Sequence, residues 1–252
     1  MADKQIVSAD RRDFVRLAIA GSVGLGFASL PLAVLGQASG TQPLKIATIG
    51  SGRIGSTLGA LWIKAGHPVM FSSRHPQNLK TLVDGLGPLA HAGTPAEAIA
   101  FADVVLLAVP FGAMPQIASE YGRALAAKPL VLDATNPIVP RDGDVAVQAR
   151  EKGAGAAAAE LLPGVKLVRA FNAIGYARLS EQVKRAEGDR IGMPIAGDDA
   201  NAIALASKLI QEVGMEPVLI GPLLMGKHLL PGTPLAGEHT PQEIRQIVST
   251  LK

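Results

Sequence analysis

"LKIATIGSGRIGSTLGALWIKAGHPVMFSSRHPQN", residues 44–78, decides the fold of this chain. An apolar run, Lys45–Ile49, is followed at once by Gly50, Gly52 and Gly55. A helix-length segment, Gly55–Ala65, comes next, and then a second apolar run, Pro68–Ser72. Gly66 stands where a helix ending in the left-handed region wants a glycine. In a G-x-G-x-x-G loop between strand and helix, the first glycine permits the tight turn and the second lets backbone approach a pyrophosphate. The third lets the helix pack close to the strand. The free amides at the helix start then face the phosphates. The stretch reads as a dinucleotide-binding βαβ unit.

The end of the second run selects the dinucleotide. NAD sites place Asp or Glu about twenty residues after the glycines, to accept bonds from the ribose 2′-OH. Here the region reads Phe71-Ser72-Ser73-Arg74-His75, without a carboxylate. Ser72 and Ser73 can donate hydrogen bonds to a 2′-phosphate, and Arg74 can pair with it by a charge-assisted fork. His75 is either an adenine-stacking ring or a solvated loop residue. The expected cofactor is NADP(H).

Outward from this unit, short apolar runs continue to alternate with helix-length segments. Strands are expected at Asp103–Val109, Leu130–Asp133, Val165–Ala170, Ile191–Ala196 and Glu216–Ile220. Helices are expected at Pro95–Phe101, Met114–Ala127 and Ala200–Val213, with an alanine-rich one near 154–162. Thr94-Pro95 with Glu97 reads as a capped helix start, and Asp198 or Asp199 can cap the helix near Ala200. Continuous apolar runs between helices indicate an α/β, mostly parallel, doubly wound sheet covered on both faces.

Composition narrows the function classes. The 252 residues carry a formal charge of +3, with 48% apolar and 4% aromatic residues. No basic run with interleaved aromatics occurs, so no nucleic-acid partner is expected. The absence of cysteine excludes disulfides, thiolate metal sites and a cysteine nucleophile. The five histidines (His67, His75, His91, His228 and His239) fall at unrelated spacings, and no metal site is expected.

Residues 1–40 are of a different kind. Arg11, Arg12 and Phe14 precede a moderately apolar run, Leu17–Gly36, broken by Gly21, Gly24, Gly26 and Pro31. This order resembles a twin-arginine export signal, with Gly36-Gln37-Ala38 as a small-residue cleavage site. An uncleaved membrane anchor and an ordinary secretory signal are the other readings. The glycines and proline make the run a poor permanent span. The expectation is a periplasmic or otherwise exported protein that meets the twin-arginine translocase, with no stable membrane span beyond the leader.

Two further segments bear on the nicotinamide end. Val109-Pro110-Phe111 and Thr135-Asn136-Pro137 follow apolar runs, at strand carboxyl ends where open α/β sheets place their ligands. In Ala170-Phe171-Asn172-Ala173-Ile174-Gly175-Tyr176, Asn172 is placed to bond the nicotinamide carboxamide. Phe171 or Ile174 presses on the ring in this reading, and Phe171 is equally a core residue. There is no Ser-Tyr-x-x-x-Lys arrangement and no His/Asp dyad. An acceptor that is itself a conjugated cofactor needs little protein acid or base, because orientation of two stacked rings supplies the catalysis.

Taken together, "IATIGSGRIGSTLG", "FSSR", "LLAVPF", "VLDATNP", "VRAFNAIG" and "AGDDANAIALASKLIQEVGMEPVLIGPL" resemble the NADPH-dependent reductases of the deazaflavin coenzyme F-420. They are also similar to the NADPH domain of six-transmembrane metalloreductases. The likeness runs from about Leu44 to Leu224. It implies a Rossmann-type domain over 41–224, a small C-terminal extension over 225–252, and a homodimer. By the same resemblance Ser51, Gly52, Arg53 and Ile54 hold the pyrophosphate, and Ser73 with Arg74 holds the 2′-phosphate. A family lysine is replaced near Asn78, with Lys80 as its substitute. Val109, Pro110 and Asn172–Tyr176, including Ala173, line the nicotinamide. The deazaflavin lies near Tyr176 and the Gly221-Pro222-Leu223 turn. The tail "MGKHLLPGTPLAGEHTPQEIRQIVSTLK" lacks the glycine-rich carboxyl end of those reductases.

Three functions fit these readings. The first is hydride transfer between NADPH and a small-molecule acceptor, a deazaflavin or flavin co-substrate, with Asn172 and Tyr176 positioning the rings. The second is ferric or cupric reduction through a bound flavin. The third is a non-catalytic module that retains NADP.

Overall fold

The computed structural model of the chain describes residues 42–182 and 189–251. The expected export signal over residues 1–40 lies outside the described residues.

The first apolar run forms β1 (Ile46–Ile49), with all four residues buried. A strand buried on both sides must pair on both sides. Ile46 lies opposite Val69 of β2 (Val69–Ser72) and Val104 of β4 (Val104–Leu107), both in parallel. Outside β2 lies β3 (Ala90–Gly93). On the other flank follow β5 (Leu130–Asp133), β6 (Leu167–Arg169), β7 (Gly192–Gly197) and β8 (Glu216–Gly221). The order is β3-β2-β1-β4-β5-β6-β7-β8, and only the β6–β7 pair is antiparallel. This is the expected α/β, doubly wound, mostly parallel Rossmann-type sheet. Chain order reverses between β1 and β4, where such sheets open a crevice at the strand carboxyl ends.

Helices cover both faces. On one side α1 (Arg53–Lys64) and α9 (Ala200–Glu212) bury Leu58, Trp62, Ala206 and Leu209 over β1, β2 and β7. The Trp62 indole donates to the Leu209 carbonyl at 3.1 Å, so a large apolar ring enters the core with its polar atom satisfied. On the other side α3 (Pro95–Phe101), α4 (Met114–Ala126) and α7 (Ala154–Leu161) bury Ile99, Met114, Ile117 and Ala158. Thr94 and Glu97 form a reciprocal capping box at α3. Asp199 caps α9 by accepting from the Ala202 amide, whereas Asp198 accepts from the Leu223 amide instead.

Five described helices outside the expected set join them: α2 (Lys80–Leu86), α5 (Val139–Asp142), α6 (Asp144–Lys152), α8 (Tyr176–Gln182) and, in the tail, α10 (Pro241–Thr250). The tail packs on the same sheet. Leu229 and Leu235, together with Ile244 of α10, close over Val218 and Ile220 of β8. His67 is buried and sets Nε2 2.8 Å from Glu212, tying the start of β2 to the end of α9. Among the described residues no helix is long and apolar enough to cross a membrane.

Candidate functional site

The glycine loop has the conformation its sequence requires. Gly50 turns at φ +95°, a region L side chains rarely adopt. A Cβ on Gly55 would stand 2.0 Å from the Gly50 carbonyl oxygen, so α1 meets the loop in a contact only glycine allows. Gly52 is different, because nothing lies within 4 Å of a Cβ built there. Gly52 is also the N-cap of α1, and no side chain caps it, unlike α3, α9 and α10. The first intrahelical bond to the loop is Ser56 N–H to the Gly52 carbonyl. The amides of Arg53, Ile54 and Gly55 therefore precede the helix's own bonding pattern, the arrangement that favours an anion beside a helix start.

A cavity of about 550 Å³ lies against this loop. Gly50, Ser51, Gly52, Ser72, Ser73, Arg74, Val109 and Pro110 all line it, so one space gathers most of the residues expected to bind the cofactor. Ser72 is nonetheless turned inward. It is buried, and its hydroxyl lies 3.4 Å from the Gly50 amide while its carbonyl accepts from the Ser51 hydroxyl. Ser72 thus supports the loop rather than reaching out to a 2′-phosphate. Ser73 and Arg74 stand at the rim. Ser73 Oγ accepts from the His75 amide at 3.0 Å, which tightens the turn that presents Arg74. No carboxylate pairs with Arg74 among the described residues. Lys80 is held in an exposed ion pair with Asp84 at 2.7 Å. The glycine spacing, the open N-cap and the unpaired guanidinium fit the pyrophosphate and 2′-phosphate of an NADP-type nucleotide.

Arg53, Ile54, Gly55, Asn136, Asn172, Ala173 and Tyr176 lie outside this cavity's lining. Asn136, Asn172 and Ala173 belong to the carboxyl ends of β5 and β6, which are locked by a buried polar network. Arg169 and Asp133, opposite each other in strand register, form a fully buried ion pair. Arg169 also donates to the Thr135 carbonyl, and Asp133 accepts from the Thr135 amide and hydroxyl. Asn172 is 4% exposed, and its amide donates to the carbonyls of both Asp133 and Thr135 at 3.0 Å. Two carbonyl partners fix the NH₂ orientation and commit these donors to backbone, while Oδ1 is buried without a hydrogen-bond partner among the described residues and is the atom left to accept from a carboxamide. Asn136 in turn donates to the Asn172 carbonyl at 2.9 Å.

This network holds Phe171 at φ +65°, the single non-glycine residue with positive φ among the described residues. An aromatic residue there is strained by roughly 1–3 kcal/mol, and such strain concentrates at functional loops. Phe171 is buried, with its ring edge-on to Trp62 at 6.1 Å. The tail seals the network, because Gly226 brings backbone so close that a Cβ would stand 2.6 Å from Arg169 Cδ. Tyr176 is half-exposed at the start of α8, with the Arg53 guanidinium 5.1 Å above its ring. The Gly221–Leu223 turn is committed elsewhere: Leu223 is buried, and its carbonyl meets Gly155 of α7. No cluster of three metal-ligating side chains occurs among the described residues. Sequence reasoning missed the Asp133–Arg169 pair, whose signal was opposite charges ending two neighbouring apolar runs.

The model of a family described as "NADP oxidoreductase coenzyme F420-dependent" matches residues 45–137, from β1 to the end of the β5 loop. A glycerol-3-phosphate dehydrogenase [NAD(P)+] of Rhizobium etli is 29% identical over 202 residues. That alignment covers 68% of this chain and 62% of the relative's length. Among solved structures, a hypothetical protein of Sinorhizobium meliloti is 26% identical, with a TM-score of 0.64 over 79% of this chain and 96% of that one. A candidate F420-dependent NADP-reductase from an Arthrobacter species shares the fold at 21% identity and a TM-score of 0.62, over 73% of this chain and 87% of its own. Residues 45–137 therefore carry the sequence pattern of the nucleotide-binding unit of NADP oxidoreductases, within a Rossmann-type fold.

Proposed function

We propose that the protein is an NADP(H)-dependent oxidoreductase that passes hydride between the nicotinamide and a conjugated acceptor of the flavin or deazaflavin type. One observation carries this reading: a single cavity joins an uncapped glycine loop to Arg74, which no carboxylate among the described residues pairs, with no carboxylate at the end of β2. Bound NADPH supplies the hydride; the nicotinamide is oxidised as the acceptor is reduced, and the balancing proton comes from solvent. The chain's own part is binding and orientation. Loop amides and the start of α1 hold the pyrophosphate, Ser73 and Arg74 hold the 2′-phosphate, and Val109 with Pro110 bounds the path toward the β5–β6 end. There the locked Phe171–Tyr176 segment gives the acceptor a rigid wall, with Tyr176 its exposed ring. The matched family model supports the cofactor class, and the resemblance of the six motifs supports the acceptor class.

A second reading is a module that retains NADP without turnover. The commitment of the Asn172 NH₂ to backbone carbonyls favours it, since only the buried Oδ1 is then left to meet a carboxamide. Full-length protein mixed with NADPH and offered FMN, FAD or the deazaflavin separates the two. Multiple turnovers with any acceptor establish the oxidoreductase. Saturable NADPH binding with no turnover on any acceptor establishes the module. We further propose that residues 1–40 direct export by the twin-arginine route, and that Arg11→Lys with Arg12→Lys retains the protein in the cytoplasm; export of the double variant would refute it.

A further inference from the structure

The nucleotide cavity has a second polar wall. Helix α4 turns one face toward it, because Gln116, Ile117, Glu120 and Tyr121 recur at three- and four-residue steps and all line the space. Ile117, with Leu79 and Pro95 from other elements, offers apolar surface to the faces of a planar base. Between these lies one anionic group. Gln116 Nε2 donates to Glu120 Oε1 at 2.8 Å, which steadies the carboxylate and leaves its remaining lone pairs as acceptors. Beside it, burial first, and then the hydrogen bond and charge of Glu120, push the Tyr121 phenol upward, so it stays a neutral hydroxyl. The cavity is thus cationic where Arg74 enters from the β2 loop and anionic along α4.

That polarity matches the two ends of an adenosine 2′-phosphate: an anionic ribose and a base edge that carries an amine. We propose that Glu120 reads the base, its carboxylate accepting a hydrogen bond from the exocyclic 6-amino group and so selecting adenine over a 6-oxo purine. The inference rests on the nucleotide reading of the cavity. A 6-oxo group presents an acceptor to the carboxylate and moves the edge donor from the 6-position to N1–H. A carboxylate set for the 6-amino group then loses its bond or must shift to recover a poorer one. Sites built to bond an N–H discriminate against analogues that lack it at that position. Glu120 is a specificity residue here; hydride transfer does not involve it.

The test is titration of the full-length protein with NADPH and with its hypoxanthine analogue, following nicotinamide fluorescence. Wild type is expected to bind NADPH roughly tenfold tighter, the size of one hydrogen bond to a partly exposed charged group. Glu120→Gln, whose amide can present either a donor or an acceptor, brings the ratio close to one while the unfolding midpoint stays put. Equal affinities in wild type overturn the proposal. So does a preference that survives intact in Glu120→Gln, since the base is then read elsewhere. If neither nucleotide binds, the underlying reading of the cavity fails and this one falls with it; binding of both without discrimination sinks the Glu120 assignment alone.

Discussion

Gly52→Ala separates the phosphate-binding role of the loop from its structural role. Gly52 has φ −74° and ψ −166°, extended backbone that alanine adopts without strain. A Cβ there meets nothing within 4 Å, so no packing is lost or forced. Alanine is a poorer N-cap than glycine by about 0.5–1 kcal/mol, while its stiffer unfolded chain returns about 0.4–1 kcal/mol. The two nearly cancel, and the urea midpoint should stay close to wild type. NADPH affinity should not, because the new methyl occupies the approach of the pyrophosphate to the α1 amides. Losing one or two charge-assisted bonds costs roughly 2–4 kcal/mol, on the order of 30- to 1,000-fold in Kd. Gly55→Ala is the contrast. Its Cβ would stand 2.0 Å from the Gly50 oxygen, backbone against backbone, and the fold should lose about 3 kcal/mol or more. Equilibrium unfolding and direct NADPH titration on both variants make the comparison. A Gly52→Ala protein that binds NADPH like wild type would refute the placement of the phosphates over the N-cap of α1.

Other perturbations probe other parts of the molecule. Arg74→Ala should weaken NADPH by about 1.5–3 kcal/mol and leave NADH nearly unchanged; equal losses for both nucleotides would remove the 2′-phosphate contact from Arg74. Asp133→Asn strands the Arg169 charge in a fully buried site and should cost about 3–5 kcal/mol in urea unfolding, and a cost under about 1 kcal/mol would contradict the buried pair. The Thr94 and Thr240 backbone amides first, and their hydroxyls next, hold the Glu97 and Glu243 carboxyls below the usual 4.5. A depressed native pKa gives stability that is present above 4.5 and lost as pH falls through the lower native value. Replacing both by Gln keeps the capping bonds without the titration, so the acid limb of the stability profile should flatten; an unchanged limb would mean the boxes do not form in solution.

How much of this was legible depended on which physical rule fixed each part. Runs such as "VVLL" and "LVLD" are buried on both faces, and burial on both faces leaves a continuous apolar signature. The edge strand Ala90–Gly93 escaped because "AHAG" is half-exposed and has no apolar run; His91 rests on the Phe101 ring rather than in the core. Helix α10 was not expected, although Thr240-Pro241 with Glu243 repeats the signature that marks α3 at Thr94, Pro95 and Glu97. The Asp133–Arg169 pair joins residues 36 apart. Each reads alone as the polar end of a strand, and only strand register sets them opposite one another.

The two ends of the crevice differ in the same way. At the nucleotide end the determinants are backbone ones: a positive φ at Gly50, a forbidden Cβ at Gly55, an open one at Gly52. Each such requirement selects a residue type, so the letters alone disclose the geometry. At the β5–β6 end the determinants are side-chain directions. Asn172 has the amide a nicotinamide carboxamide needs, yet the carbonyls of Asp133 and Thr135 take both its donors. A type can be right and its role different when neighbouring backbone competes for the same hydrogens. Here the competition has a structural product, since the clamp that takes the Asn172 donors and leaves only its Oδ1 free adjoins Phe171, held in a strained left-handed turn, and carries the chain on to Tyr176. In the proposed oxidoreductase, acceptor choice at this end would follow the loop shape that the Asp133–Arg169–Asn172 network enforces, with the tail glycine Gly226 sealing it.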